Sequence, residues 1–307
     1  MPNRTPAHRR LPPRAHRCRR QGRGGGHGAI IIYLALGIGA SPAVEESSSA
    51  WTFAPVEAAY PPYLADPRRP TTSASHMVSW SSDLNERFDT GSNRFDLRIG
   101  ERFEAVERRD GDRIWQFSIG AGFFGLFDQE HQLDSIGWDG WYAGHLSLRW
   151  AEPWAAKFSY RHLSSHLGDE FIERTGRERI RYTREDVTLA LAWTSEPGWT
   201  IYGELGSATH LSAGADGRGY AQAGWQWHRP NPTIWNRFGW STAIDLQSFE
   251  GDDWEPNLTA EAMLILPDRQ GRDRLRAGFV FHHGRVPVGE LHRFRESSLS
   301  FRIGWEP

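Results

Sequence analysis

The sequence contains almost no cysteine or lysine and no long apolar run. Its one cysteine, Cys18, excludes an internal disulfide framework, and its one lysine, Lys157, stands against 35 arginines. The longest mostly apolar stretch, Ala29 to Ala40, is too short to cross a bilayer as a helix. Aromatic side chains are abundant instead, with 15 Trp, 16 Phe and 8 Tyr at a mean hydropathy of −0.61. This composition is typical of strands in which apolar and polar residues alternate.

The N-terminus has the composition of a secretory signal. An arginine-rich stretch precedes Ala29 to Ala40, and the small residues ASPA follow, ending at Ala43. Residues 1–43 contain eight arginines and no Lys, Asp or Glu, so their removal changes the formal charge from −2 to −10. An acidic mature chain lacks the basic face of a nucleic-acid-binding protein. The alternative is a disordered basic arm beside a buried strand.

The rest of the chain divides into two parts. Residues 44–74 are rich in Pro, Ser and Ala without periodicity, which predicts an extended periplasmic arm. From residue 75 to 307, apolar and polar residues alternate: near the C-terminus Leu299, Phe301 and Ile303 oppose Ser300 and Arg302. Alternation of this kind predicts β-strands.

The pattern predicts an all-β fold, a transmembrane antiparallel β-barrel of about twelve strands. Short connections such as AEP, EPG and PNPT alternate with long ones such as QEHQLDSIGWDG and GDEFIERTGRERI, as a membrane barrel requires. A soluble β-sandwich or lipocalin-like barrel is the alternative, with its aromatics inside. The predicted strands lie near residues 76–83, 94–106, 114–128, 141–150, 154–167, 181–195, 199–210, 219–229, 235–249, 256–267, 274–284 and 295–305.

The positions of the tryptophans favour the membrane barrel. Most lie beside the short connections, where an indole can keep its N–H in water and its ring in lipid. Charged residues occupy the opposite face of the strands, which predicts a polar lumen. The tryptophans expected to form an aromatic girdle at one membrane interface are Trp115, Trp150, Trp154, Trp193, Trp199, Trp227, Trp235 and Trp305. The charged residues expected to face the lumen are Arg98, Arg149, Lys157, Arg161, Glu204, Asp245, Glu261, Arg276 and Arg302.

The stretch YRHLSSHLGDEF, Tyr160 to Phe171, concentrates chemically active side chains. The alternation along its strand predicts that His162, Ser164 and His166 face lipid near the outer rim. The run RHLSSHLGDE, in a Trp-rich barrel-like chain with a signal, resembles a bacterial envelope family catalogued as domain of unknown function 1207. The resemblance covers residues 75–307 and implies an outer-membrane setting but no activity.

A second, partial resemblance is to outer-membrane phospholipase A and the lipid A deacylases. Those barrels place a His and a Ser two residues apart on one lipid-facing strand, as His162 and Ser164 stand here. The resemblance implies a lipid ester hydrolase in which the imidazole activates the hydroxyl. The chain departs from it at Ser165, where those proteins have Asn. Symmetric pairing about the following loop predicts Glu185 opposite Ser164, from where it would orient His162.

Two other interpretations of the stretch stay open. Asp169 and Glu170, which begin the outer loop, offer oxygen ligands for Ca²⁺, although no cofactor is required by the hydrolase reading. Alternatively, the whole stretch is a polar rim in the headgroup zone. Similar His-x-Ser triplets at His145/Ser147 and His210/Ser212 show that the triplet alone is weakly specific.

Three classes of function therefore remain: an envelope structural or narrow, plugged pore-type protein, a lipid-facing esterase, and a binding platform on the outer loops. The expected partners are membrane lipids and the outer-membrane assembly machinery, and not nucleic acid. The last strand resembles the signal that this machinery reads, because its alternating apolar residues end in Trp305; it departs by adding Glu306 and Pro307. The expected location is the bacterial outer membrane.

Overall fold

The computed structural model describes residues 50–195, 198–212, 217–235, 237–267 and 273–305. The predicted signal, residues 1–43, lies outside the described residues. Two short helices, α1 (Asp83–Arg87) and α2 (Asp169–Thr175), lie in connections between strands. The strands are β1 (Ala50–Phe53), β2 (Thr72–Ser82), β3 (Asn93–Asp110), β4 (Arg113–Asp128), β5 (Asp134–Ala151), β6 (Trp154–Leu167), β7 (Tyr182–Ser195), β8 (Trp199–Leu211), β9 (Gly219–Ile234), β10 (Phe238–Phe249), β11 (Asn257–Pro267), β12 (Asp273–Arg285) and β13 (Arg295–Trp305).

Strands β2 to β13 form a closed antiparallel barrel. Each strand pairs with its neighbour in the chain, and β2 pairs with both β3 and β13, which joins the two ends of the sheet. The predicted fold, an antiparallel barrel of about twelve strands, is confirmed. Closure leaves the barrel without the two free edges that an open sheet of this length would expose. Among the described residues, no helix is long and apolar enough to cross a membrane.

The walls are apolar outside and polar inside. In β13, Leu299, Phe301 and Ile303 are 44 to 48% exposed, whereas Ser300 and Arg302 are buried. The inward face of the other strands carries buried charges that pair with one another, such as Lys157 and Arg161 with Glu204. The alternation of the sequence thus corresponds to the two faces of the wall.

Strand β5 is longer than the sequence predicts. The expected segment was 141–150, with QEHQLDSIGWDG as a long loop, but β5 begins at Asp134 and only residues 129–133 connect it to β4. The prediction was wrong because Gly137 and Gly140 contribute no side chain to the alternation. Asp139, between them, points inward and is fully buried.

Part of the predicted arm lies inside the barrel. β1 pairs with the end of β3, and the chain then passes through the interior before it rejoins the wall at β2. Tyr60, Leu64 and Ala65 in this segment are almost completely buried. The placement of residues 44–74 in the periplasm therefore does not describe the inserted segment, residues 54–71, which we call the plug.

Two inward glutamines hold the backbone of the plug. Gln116 Oε1 accepts from Ala59 N at 2.7 Å, while its Nε2 donates to Glu57 O at 2.7 Å. Gln226 does the same farther along, accepting from Leu64 N at 3.0 Å and donating to Pro62 O at 2.9 Å. Primary amides can replace strand pairing in this way because they carry both a donor and an acceptor. Four backbone groups of the plug are thus satisfied by side chains of the wall rather than by secondary structure.

A small hydrophobic core fills the end of the barrel where the long connections lie. It joins α1, α2 and the connection between β12 and β13, and we call it the cap. The 3₁₀ turn Gly289–Leu291 is tied to the wall by Gly289 N, which donates to Asp139 Oδ1 at 2.9 Å. The buried residues of the cap are Met77, Leu84, Leu126, Ile136, Leu167, Phe171, Val286, Val288, Leu291 and Phe294.

Candidate functional site

Strand β6 places the polar residues of the stretch YRHLSSHLGDEF on two faces. His162, Ser164 and His166 point outward with Tyr160, whereas Leu163 and Ser165 between them are buried inside. The outward facing of the two histidines and Ser164 is as the sequence predicts. His166 packs its ring against Trp138 of β5 at a centroid distance of 4.3 Å.

The inward-facing residues of the stretch contact the cap. Ser165 Oγ accepts from Glu290 N at 2.9 Å, and Leu167 lies in the cap core. At Gly168 the chain passes so close to β5 that a Cβ would lie 1.8 Å from Ser135 O, which only glycine permits. Ser165, Leu167 and Gly168 therefore have structural roles that the outward residues do not share.

His162 is held by a carboxylate on the neighbouring strand. Its Nδ1 lies 3.2 Å from Glu185 Oε1, and the two residues are direct partners across β6 and β7. The prediction that Glu185 lies opposite Ser164 was wrong, because Thr183 occupies that position. The register differs by two residues, so Glu185 still faces outward and still contacts the histidine.

Two tyrosines complete the surroundings of this pair. Tyr160 donates its hydroxyl to Glu185 Oε2 at 2.9 Å, and Tyr142 of β5 stacks on the His162 ring at 4.5 Å. His210 of β8 is the partner of Glu185 on its other side. Sequence reasoning missed both tyrosines and His210 as neighbours, since only the register of four strands brings them together.

Ser164 is the least constrained of these residues. Within the described part of the chain, no hydrogen bond joins Ser164 to His162, whose bonded partner is Glu185. The hydroxyl lies beside Gly140, where a Cβ would approach its Oγ to 3.3 Å. The absence of a side chain at position 140 leaves open space beside the hydroxyl.

That space is one end of a groove in the outward wall. The groove has a volume of about 600 Å³ and crosses β3 to β6, with Ser164 at one end and Thr72 at the other. Small residues form its floor, whereas the outward positions around it are mostly large and apolar. Its lining is Thr72, Ile99, Gly100, Glu101, Ala121, Gly122, Gly140, Trp141, Tyr142 and Ser164.

The residues predicted for Ca²⁺ do not form a ligand cluster. Asp169 and Glu170 lie exposed in the first turn of α2, and Asp169 pairs with Arg179. Among the described residues, no group of three or more His, Cys, Asp or Glu side chains is arranged to hold a metal ion. The Ca²⁺ site stays a prediction, and no step below uses a metal.

The other His-x-Ser triplets are arranged differently. His145 and Ser147 face the lumen, where His145 Nδ1 bonds Ser159 Oγ at 2.8 Å. Ser212 accepts from Thr183 N at 2.8 Å at the end of β8. Neither triplet has a carboxylate on its histidine together with a serine open to the outward groove.

Two carboxylates between β10 and β11 bind neighbouring connections at the cap end of the barrel. Glu250 Oε2 accepts from the backbone N–H groups of Arg218 and Gly219, both at 2.7 Å. These bonds hold the pKa of Glu250 below its usual range, because they stabilise the carboxylate. Asp252 pairs with Arg285 at 2.5 Å and Arg295 at 3.4 Å.

A family model described as "Protein of unknown function (DUF1207)" matches residues 40–306. The chain belongs to this family. The resemblance seen in RHLSSHLGDE is thereby confirmed. No curated protein matches the chain by sequence.

Solved outer-membrane barrels have the same fold. Outer membrane phospholipase A from Escherichia coli, in an active-site mutant, aligns with a TM-score of 0.53 at 10% identity over 80% of this chain and 91% of that chain. The Salmonella typhi outer membrane phospholipase dimer with bound calcium aligns with a TM-score of 0.52 at 10% identity over 78% of this chain and 91% of that chain. KdgM porin aligns with a TM-score of only 0.40 at 8% identity over 77% of this chain and 99% of that chain. At such identities the likeness concerns the fold alone.

Proposed function

We propose that this protein is an outer-membrane enzyme that hydrolyses ester bonds of membrane lipids at its outward wall. The observation that carries the proposal is the hydrogen bond between His162 and Glu185, on the lipid-facing side and two residues from Ser164. A carboxylate that fixes the imidazole, and a serine on the same face, are the parts of a nucleophile–base arrangement. Residues 1–43 would direct the chain to the outer membrane as a signal.

The chemistry assigns one role to each side chain. Ser164 Oγ attacks the ester carbonyl while its proton passes to Nε2 of His162; the alcohol then leaves with that proton, and the acyl group stays on Ser164. Water gives a proton to the same nitrogen and attacks the acyl ester, which releases a fatty acid and restores Ser164. Glu185 acts as a positioning residue, since it holds Nδ1–H and thereby presents the Nε2 lone pair.

The step requires Ser164 to approach Nε2 of His162 when a lipid is bound. Among the described residues, the Ser164 hydroxyl makes no hydrogen bond that would have to break first. Hydrogen bonds of this kind are often long in the unliganded state and shorten in the complex. The groove beside Ser164 gives room for the lipid, because Gly140 leaves its floor open.

The test is hydrolysis of ester lipid by purified protein in mixed micelles, measured as release of fatty acid. Wild type should release it and Ser164→Ala should not, whereas Ser147→Ala should keep full activity because Ser147 faces the lumen. Parallel reactions with Ca²⁺ and with a chelator test the Asp169 and Glu170 prediction. If wild type cleaves neither phospholipid nor lipid A in any of these reactions, the proposal is wrong.

The second candidate is a narrow, plugged pore-type protein, favoured by a cavity of about 250 Å³ in the interior beside the plug. This cavity contains charged side chains such as Lys157, Arg161 and Glu204. Release of the plug would join it to the solvent at the end of the barrel where the short connections lie. A conductance experiment on the plug, described in the Discussion, separates this candidate from a permanently closed wall.

A further inference from the structure

The barrel wall is interrupted on one side of β3. Strand β2 pairs with β3 over Asn93 to Arg98, and β1 pairs with it over Val106 to Arg109. Between them, residues 99–104 have a strand partner only on the β4 side. At about 3.3 Å per residue, this interruption is roughly 20 Å long. We call it the wall gap.

The chain enters and leaves the interior at the two ends of the wall gap. Ala54 N donates to Ala105 O at 3.0 Å where the plug begins, and Thr72 Oγ1 reaches Gly100 O at 3.5 Å where it ends. Between these points Pro70 lies against β3, so close that a Cβ on Gly100 would be 3.3 Å from its Cα. A proline has no N–H to donate, so it covers the strand without pairing with it.

A free strand segment is unusual in a membrane barrel. Hydrocarbon offers no hydrogen bonds, so backbone groups at this depth need protein or water as partners. The backbone of the wall gap has polar surroundings on its inner side, where the 250 Å³ cavity reaches Gly100, Glu101 and Arg102. The outward groove reaches Gly100 and Glu101 from the other side. The cavity and the groove therefore meet at the wall gap.

The cavity is suited to a small anionic group with an apolar tail. Its lining includes five basic side chains and four acidic ones, and one of the acidic residues, Glu101, is exposed on the outward face. Prolines and aromatic rings provide apolar surface beside these charges. The volume of about 250 Å³ is below the usual range of drug-sized sites, so a two-chain lipid does not fit. The charged lining residues are Arg68, Arg69, Arg102, Lys157, Arg161, Asp66, Glu101, Glu104 and Glu204.

We infer that the wall gap is a lateral entrance through which a single-chain amphiphile with an anionic headgroup passes from the membrane into the interior cavity. The tail lies in the groove and crosses the wall at Gly100, where β3 has no strand partner on the β2 side and Pro70 covers it without a hydrogen bond. The headgroup meets the basic side chains inside, where Lys157 and Arg161 already share the carboxylate of Glu204. This inference does not depend on ester hydrolysis.

The test is photo-crosslinking of the full-length protein in nanodiscs of phosphatidylcholine. The probe is dodecanoate with a diazirine in its chain, and the labelled peptides are identified by mass spectrometry. We expect label on the buried residues of the plug, which a lipid outside the wall does not reach: Ala59, Tyr60, Tyr63, Leu64 and Ala65. Unlabelled dodecanoate or dodecyl phosphate should reduce this label at least tenfold, whereas neutral dodecanol should not. The stronger of the two anions distinguishes a carboxylate from a phosphate ligand.

A matched pair of variants tests the path. Ala121→Trp places a large ring in the groove beside the wall gap, and Ala156→Trp places the same ring on the outward face of β6, outside the groove. We expect Ala121→Trp to reduce plug labelling at least tenfold and Ala156→Trp to leave it unchanged, both with wild-type heat-modifiable gel mobility. Label confined to outward residues in wild type, or plug label that dodecanol removes equally well, would overturn the inference whether or not the variants fold.

Discussion

Nδ1 of His162 lies 3.2 Å from Oε1 of Glu185, and the second oxygen of that carboxylate accepts from Tyr160 at 2.9 Å. One carboxylate on β7 thus binds two outward side chains of β6. Because Glu185 accepts from Nδ1–H, the lone pair of the neutral imidazole is on Nε2. The tyrosine fixes the carboxylate, and the carboxylate fixes the ring.

This relationship predicts unequal effects of two substitutions on ester hydrolysis. His162→Ala removes the base and should lower kcat by about 10²- to 10⁴-fold. Glu185→Gln should lower it less, since the amide oxygen still accepts from Nδ1–H but without charge. Both are measured as kcat and KM from initial rates of fatty acid release.

Ser147→Ala is the control for these variants, because it removes a serine of a matching triplet on the lumen face. Its hydroxyl is buried without a hydrogen-bond partner among the described residues, so its loss should not reduce stability. A kcat of Glu185→Gln equal to that of wild type would remove the positioning role from Glu185.

The faces of the strands were predictable from the sequence, and the long-range contacts were not. Alternation of Phe301 and Arg302 is a local property, and it places both residues correctly. The partner of Glu185 depends on how α2 and the rest of the connection fill residues 168–181, which symmetric pairing ignores. The plug is bound by Gln116 and Gln226, and no local sequence pattern separates these two glutamines from others in the strands. Local patterns therefore predicted the wall, while the site and the interior required the register of distant strands.

Adjacent residues on opposite faces of β13 should differ in their importance for assembly. Phe301→Arg places a charge on the lipid-facing wall, which costs about 2–4 kcal/mol near the bilayer midplane. Arg302→Ala should cost less, because Asp96, 3.7 Å away, keeps its pair with Arg98 at 2.9 Å. The measurement is the folded fraction after refolding into lipid vesicles, read from heat-modifiable gel mobility. Equal folded fractions for the two variants would contradict the membrane facing of β13.

The cap should contribute to stability as a conventional hydrophobic core. Leu291 is fully buried in it, so Leu291→Ala should cost about 2–5 kcal/mol and lower the temperature at which the folded gel band disappears. Leu189→Ala removes the same atoms from the outward wall, where the residue is 65% exposed, and detergent replaces the lost contacts. Its effect should be much smaller. A larger loss of stability for Leu189→Ala would mean that the cap is not packed as described.

The final prediction concerns the plug and separates a gated pore from a closed barrel. Gln116→Ala combined with Gln226→Ala removes four hydrogen bonds to the plug, each worth about 0.5–1.5 kcal/mol. We expect wild type to be silent in planar bilayers and the double variant to show ion conductance, together with faster proteolysis within residues 54–71.

Gln222→Ala is the matched control, because Gln222 is also an inward, buried glutamine of β9 but bonds Asp245 at 2.7 Å rather than the plug. This variant should show no conductance, since the plug keeps its hydrogen bonds to Gln116 and Gln226. Conductance of equal size in Gln222→Ala would assign the current to a general loosening of the interior. A double variant that releases the plug to protease but stays silent would show that the cap alone closes the barrel, and the pore-type candidate would then be wrong.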